Sequence, residues 1–189
     1  QRSRVHRSHA LRCVHTFVTR DNLDALLHEH GFTGRIGLLS IDVDGVDWWL
    51  WDALEAAQPT IVVVEYNHRF GAERAVTVPY DAAFDRRRAH PSLAYYGASL
   101  EALRRLGERK GYALVGCSAH GLNAFFVRKD ALPANLAERS SAEAFRPGGF
   151  REALDAALVP RCADAAAEAE LLHGLPLVAI GPDGRPLPA

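Results

Sequence analysis

The chain has no methionine, not even at position 1, and only three cysteines in 189 residues. Cys13, Cys117 and Cys162 are odd in number, far apart and outside any CxxC pair, which argues against a disulfide framework and a structural zinc site. No apolar run approaches the ~20 residues needed to cross a bilayer, and no secretory leader pattern is visible. A reducing, cytoplasmic setting with no membrane partner is therefore expected. Charge of one sign is also lacking: 22 basic side chains oppose 23 acidic ones, for a net charge of -1. That balance leaves no electrostatic footprint for a nucleic-acid partner. P-loop, GxGxxG, nucleophile-elbow and HExxH motifs are absent, and HEHGF at 28–32 has the wrong histidine spacing for a zincin helix. Without an initiator methionine, and with the polar, basic opening QRSRVHRSH, the sequence reads as a processed or partial product.

What is present is 48% hydrophobic and 24% charged, enough to bury a substantial core. LRCVHTFV (11–18) has the β-branched and aromatic content of a strand. NLDALLHEHG follows as a helix with Leu23, Leu26 and Leu27 in one stripe and Gly31 as its stop. RIGLLSIDV (35–43) reads as a strand, 47–57 as a helix capped by Asp47 and ended by Pro59, and TIVVVEY (60–66) as a strand buried on both faces. Residues 67–97 show no sustained period and form a long, polar connection. Ser99 caps an amphipathic helix with Leu100, Leu103 and Leu106 inward, and YALVGCS (112–118) and NAFFVRK (123–129) form a hairpin. Beyond residue 131 the chain is alanine-rich, with helical patches at 149–158 and 163–173. The expectation is an α/β fold, its sheet mostly parallel with a C-terminal antiparallel hairpin, over residues 1–130, followed by a helical extension over 131–189.

The stretch IDVDGVD (41–47) sets the functional question, because it puts Asp42 and Asp44 at the carboxyl end of a strand. Ligands of open α/β sheets bind at that edge. Glu65 and Asn67 occupy the same end of the next strand. Side chains two apart share a face about 6–7 Å apart, and neighbouring strands lie about 4.8 Å apart, so the two pairs are expected to cluster. Asp42, Asp44, Glu65 and Asn67 are the candidate catalytic residues, with His68 as a further candidate base. Asp42, Asp44 and Glu65 are also the oxygen set that would hold Mg²⁺. The bland alternatives are that an aspartate caps the next helix and that Glu65 pairs with an arginine. Trp48, Trp51 and Leu54 follow core spacing, whereas Trp49 falls on another face. Arg86, Arg87, Arg88 and His90 either contact an anionic substrate or form a solvated run. Tyr95 to Ser99 opens a helix where a polar ligand or a simple cap would fit.

LLSIDVDGVDWWLWDAL followed by PTIVVVEYN resembles class I S-adenosylmethionine-dependent methyltransferases of the FkbM-like group, whose hallmark strand ends KIDVEG before a strand ending in Glu. Ser40 stands where that motif has Lys and Asp44 where it has Glu. YYGASLEAL, KGYALVG and NAFFVRKD are similar to the last helix and terminal hairpin of the group. The resemblance covers residues 11–130 and implies a Rossmann-like sheet lacking its first two strands. LRCVHTFV would then be the third strand, leaving its edge open to a homodimer contact. It implies S-adenosyl-L-methionine as cofactor, with Thr19, Asn22, Ser40 and Asp42 as the remaining cofactor contacts, and methyl transfer to a hydroxyl of a small-molecule or sugar acceptor. This chain alone is expected to be inactive, since the glycine-rich cofactor loop is missing. The other reading is a non-catalytic α/β module with an acidic, metal- or carbohydrate-binding pocket.

Overall fold

In the computed structural model, which describes residues 11–148, 153–154, 159–161, 167 and 170–188, the first regular element is helix α1 (Leu23–Glu29). It leads through Gly31, whose φ of 76° turns the chain out of the helix, into strand β1 (Gly34–Ile41). Helix α2 (Asp47–Ala53), strand β2 (Ala57–Glu65), the two-residue strand β3 (Val76–Thr77) and helix α3 (Arg86–Ala89) follow. Next come α4 (Leu100–Arg109), β4 (Tyr112–Cys117), β5 (Asn123–Arg128) and α5 (Ser141–Ala144). The last elements are the two-residue strands β6 (Ala153–Leu154), β7 (Pro160–Arg161) and β8 (Val178–Ala179).

The main sheet has the order β1-β2-β5-β4. β1 and β2 are parallel, and β5 runs antiparallel to both β2 and β4, so the sheet is mixed, with β5 alone opposing the direction of the other three strands. Strand β5 lies between β2 and β4, so the hairpin forms one end of the sheet with β4 at that edge. The expected strand at 11–18 is not formed. Those residues belong to no strand, and Leu11, Val14 and Phe17 are exposed. The open edge therefore falls on β1, which has no outer partner among the described residues.

Packing on the two sheet faces is unequal. Trp51 of α2 lies 4.8 Å from Phe126 of β5, and a Cβ on Gly107 of α4 would approach both rings. Both helices thus cover the face that carries Val62, Val64 and Phe126, with Trp48, Trp51, Leu103 and Leu106 fully buried, as the tryptophan spacing implies. Fully burying side chains of this size contributes roughly 1.5–3 kcal/mol each before entropy is counted. On the opposite face Leu38 pairs beside Ile61 and Val63 beside Phe125, and there Leu38 stays 56% and Phe125 37% exposed. Ser99 caps α4 by accepting the Ala102 N–H at 3.1 Å.

The long connection is tied down from afar. β3 pairs with β8, and Ala75 O accepts the Ile180 N–H at 2.8 Å. In the first expected C-terminal helical patch Ala153–Leu154 is a strand instead, paired with Pro160–Arg161, while in the second Ala167, Glu170 and Leu171 are helical and Leu172 and His173 form a turn. The other residues of both patches lie outside the described residues.

Candidate functional site

The loop between β1 and α2 is organised by Asp47. Its carboxylate is fully buried and accepts the N–H of Val43 at 2.9 Å and of Gly45 at 3.0 Å. Both donors converge on one side chain because Asp44 takes a left-handed conformation, φ 56°, which aspartate tolerates better than most residues. Gly45 is required for a different reason: a Cβ there would lie 2.2 Å from the Phe84 ring. Its carbonyl also accepts the Gly97 N–H at 2.8 Å, joining the loop to the segment before α4. Asp47 does not cap α2, whose N-cap position is Val46 with no side-chain cap bond; it reaches back into the loop instead, and Asp42 and Asp44 stay exposed at the strand end.

Ile41 pairs with Val64, so the next residues along, Asp42 and Glu65, fall side by side on the less covered face of the sheet. Glu65 is only 9% exposed, and its Oε2 has no hydrogen-bond partner among the described residues. Burial, reinforced by the charges of Asp47, Asp42 and Asp44 and opposed by Arg86, pushes its carboxyl up to about 8. Burial likewise raises Asp47 to about 6, against the lowering effect of the backbone donors it holds, with Asp42 adding to the rise. The expected acid cluster is present at 42, 44 and 65, with Asp47 as a fourth member that spacing alone had assigned to a cap.

Arg86 is the counter-charge. Its Nη1 donates to Asp44 at 3.1 Å and its Nε to the Leu93 carbonyl at 2.6 Å, and the guanidinium lies 3.9 Å from the centre of the Tyr96 ring. It belongs to the arginine run, yet α3 turns it inward while Arg87 and Arg88 stay exposed. Tyr96 is buried beneath it, and burial together with Glu65 pushes its hydroxyl up to about 12. The Asp44–Arg86 bridge keeps Asp44 at the rim, where its side chain is 67% exposed.

Other expected site residues have local roles. Asn67 is fully buried: its amide donates to the carbonyls of Ala94 at 2.8 Å and Tyr96 at 3.0 Å, while its oxygen accepts the Arg69 N–H at 3.1 Å. It fastens the strand end to the 94–96 segment, with both ends of the amide engaged. His68 is buried in the 3₁₀ turn His68–Phe70 and packs against Gly148, where a Cβ would come within 2.1 Å of its Nε2. Trp49 donates to the Val78 carbonyl at 2.8 Å under the long connection. Among the described residues no three His, Cys, Asp or Glu side chains form a metal-holding group, so Asp42, Asp44 and Glu65 do not make a cation cage.

The expected cofactor contacts do not assemble. Asn22 accepts the Thr19 N–H at 2.8 Å and donates to the Phe17 carbonyl at 2.9 Å, while Thr19 O accepts from Asn22 and Leu23. Both residues are thus spent on the turn that begins α1. Gly31 and Gly34 both have positive φ, but they lie on a helix-to-strand turn, the wrong sense for a phosphate- or methionine-cradling loop. Ser40 and Asp42 are exposed at the strand end, and they alone of the four keep the expected position. The described residues therefore do not fit a complete S-adenosylmethionine site.

A depression of about 500 Å³ beside α4 and α5 is lined by Glu101, Arg104, Arg139 and Ser141, among others, and by none of the expected site residues. Glu101 there is bound by Arg104, Arg105 and Ser141. These bonds hold its carboxyl at about 2 although burial alone would raise it. The arrangement joins α4 to α5 and is structural.

Comparison with protein-family models, curated proteins and solved structures finds no match to this chain.

Proposed function

We propose that this chain carries the acceptor-activating part of an S-adenosylmethionine-dependent O-methyltransferase. The observation that carries the reading is Glu65: a buried carboxyl at the carboxyl edge of a parallel strand pair, with one oxygen unpartnered among the described residues and a raised proton affinity. A general base working near neutral pH needs such an environment. In this role the ionised Glu65 accepts a hydrogen bond from an acceptor hydroxyl and takes its proton as the oxygen becomes the nucleophile. Asp42 orients a neighbouring hydroxyl, and Arg86 with Tyr96 forms one wall. Asp47 positions Asp42 by fixing the loop and does not touch the acceptor. The sequence resemblance supports methyl as the group transferred.

The cofactor side is tested by titrating S-adenosylhomocysteine into this chain and into a longer polypeptide that includes coding sequence upstream of Gln1. The reading expects heat of binding from the longer polypeptide only. No binding by either removes the methyltransferase assignment. The unassembled cofactor contacts favour, in that event, a non-catalytic module that holds a polyhydroxylated ligand at the same acidic strand ends.

A further inference from the structure

We propose that the ligand received at this strand edge is a cationic polyol, a hydroxyl compound bearing a protonated amine. The inference rests on the reading of the cluster as an acceptor site, whatever group is transferred there. Four acidic side chains, Asp42, Asp44, Asp47 and Glu65, act on one another at the carboxyl ends of β1 and β2. Facing them is Arg86, whose guanidinium is already engaged by Asp44, the Leu93 carbonyl and the Tyr96 ring. The charge of Arg69 also acts on Tyr96.

Asp42 is exposed and no ion pair to it exists among the described residues. Behind it the unpartnered Oε2 of the nearly buried Glu65 sits in the same field. A phosphate or carboxylate brought here would meet repulsion from several acids, and the Arg86 guanidinium beside them is already engaged. A neutral sugar would gain hydrogen bonds but leave the charge unbalanced. An ammonium beside Asp42 supplies the missing charge while an adjacent hydroxyl reaches Glu65. Opposite charges at contact distance favour binding even in a solvated cleft, and like charges oppose it.

The test is calorimetric titration of the full chain with glucosamine, glucose and glucose 6-phosphate, at low ionic strength and a pH where the amine is protonated. Glucosamine is expected to bind at least about 5-fold more tightly than glucose, with glucose 6-phosphate the weakest. In Asp42→Asn, an exposed and conservative change, the ratio of glucosamine to glucose affinity should fall towards unity. If glucose matches glucosamine, if the phosphate ester binds best, or if Asp42→Asn keeps the preference, the cationic-ligand inference is overturned and the acceptor site stands. If none of the three sugars binds, both fail.

Discussion

Glu65→Gln is expected to abolish proton acceptance at the site and to flatten the pH dependence of stability between about pH 6 and pH 8. The folded carboxyl titrates at about 8 against the usual 4.5, so the folded chain holds this proton more tightly than the unfolded one. The corresponding stability is fully present below the unfolded value and is lost as pH rises through about 8, a term of roughly 3–5 kcal/mol. Asp47 has the same sign, but its loss is nearly over by about pH 7. Most of the fall in stability from pH 6 to 8 therefore belongs to Glu65. Glutamine, similar in shape and uncharged, removes that fall and leaves the variant more stable than the parent at pH 8–9. Denaturant unfolding across this range is the check, and an unchanged slope in the variant would refute the assignment. Under the proposed role of Glu65 as base, the same substitution should lower kcat by about 10²–10⁴-fold, the usual contribution of a positioned base.

The second large effect is structural. Asp47→Ala leaves the Val43 and Gly45 N–H groups without their acceptor, one of them in a buried bond. Losing buried acceptors of this kind costs about 2–4 kcal/mol in total, or a Tm lower by roughly 5–10 °C for a chain of this size. Asp47→Asn keeps one oxygen in place and removes a buried charge, so it should lose less than half as much. It should also relieve the repulsion on Glu65 and draw that carboxyl down. If Asp47→Ala unfolds at the same denaturant concentration as the parent, the loop is not organised by this side chain.

Several parts of the fold were legible because the deciding physics is local. The apolar run of β2, the i, i+3 spacing of Trp48 and Trp51, the Ser99 cap and the β4–β5 hairpin all follow from periods and turn residues near in sequence. The failures need distant partners. LRCVHTFV has strand composition, but a strand exists only where an edge accepts it, and β1 is bordered on one side by β2 alone. β3 and β8 are two residues each and about 100 positions apart, too short to carry a period. In the site, strand alternation placed Asp42 and Glu65 together correctly. Asp47 read as a cap because its backward reach depends on the left-handed turn at Asp44, which no spacing rule reveals. Asn67 read as a ligand residue because its three bonds come mainly from a segment about 30 residues away. Arg86 was indistinguishable from its two neighbours until α3 turned it onto Tyr96.

The raised proton affinity of Glu65 ties the geometry to the chemistry, and a carbon-detected NMR titration of side-chain carboxyls reads it directly. The Glu65 resonance should shift with a midpoint near 8, and the midpoint should move down in Asp42→Asn and Asp47→Asn. A midpoint near the ordinary 4.5, unmoved by either substitution, would mean that the acids at 42, 47 and 65 do not act on one another as a cluster.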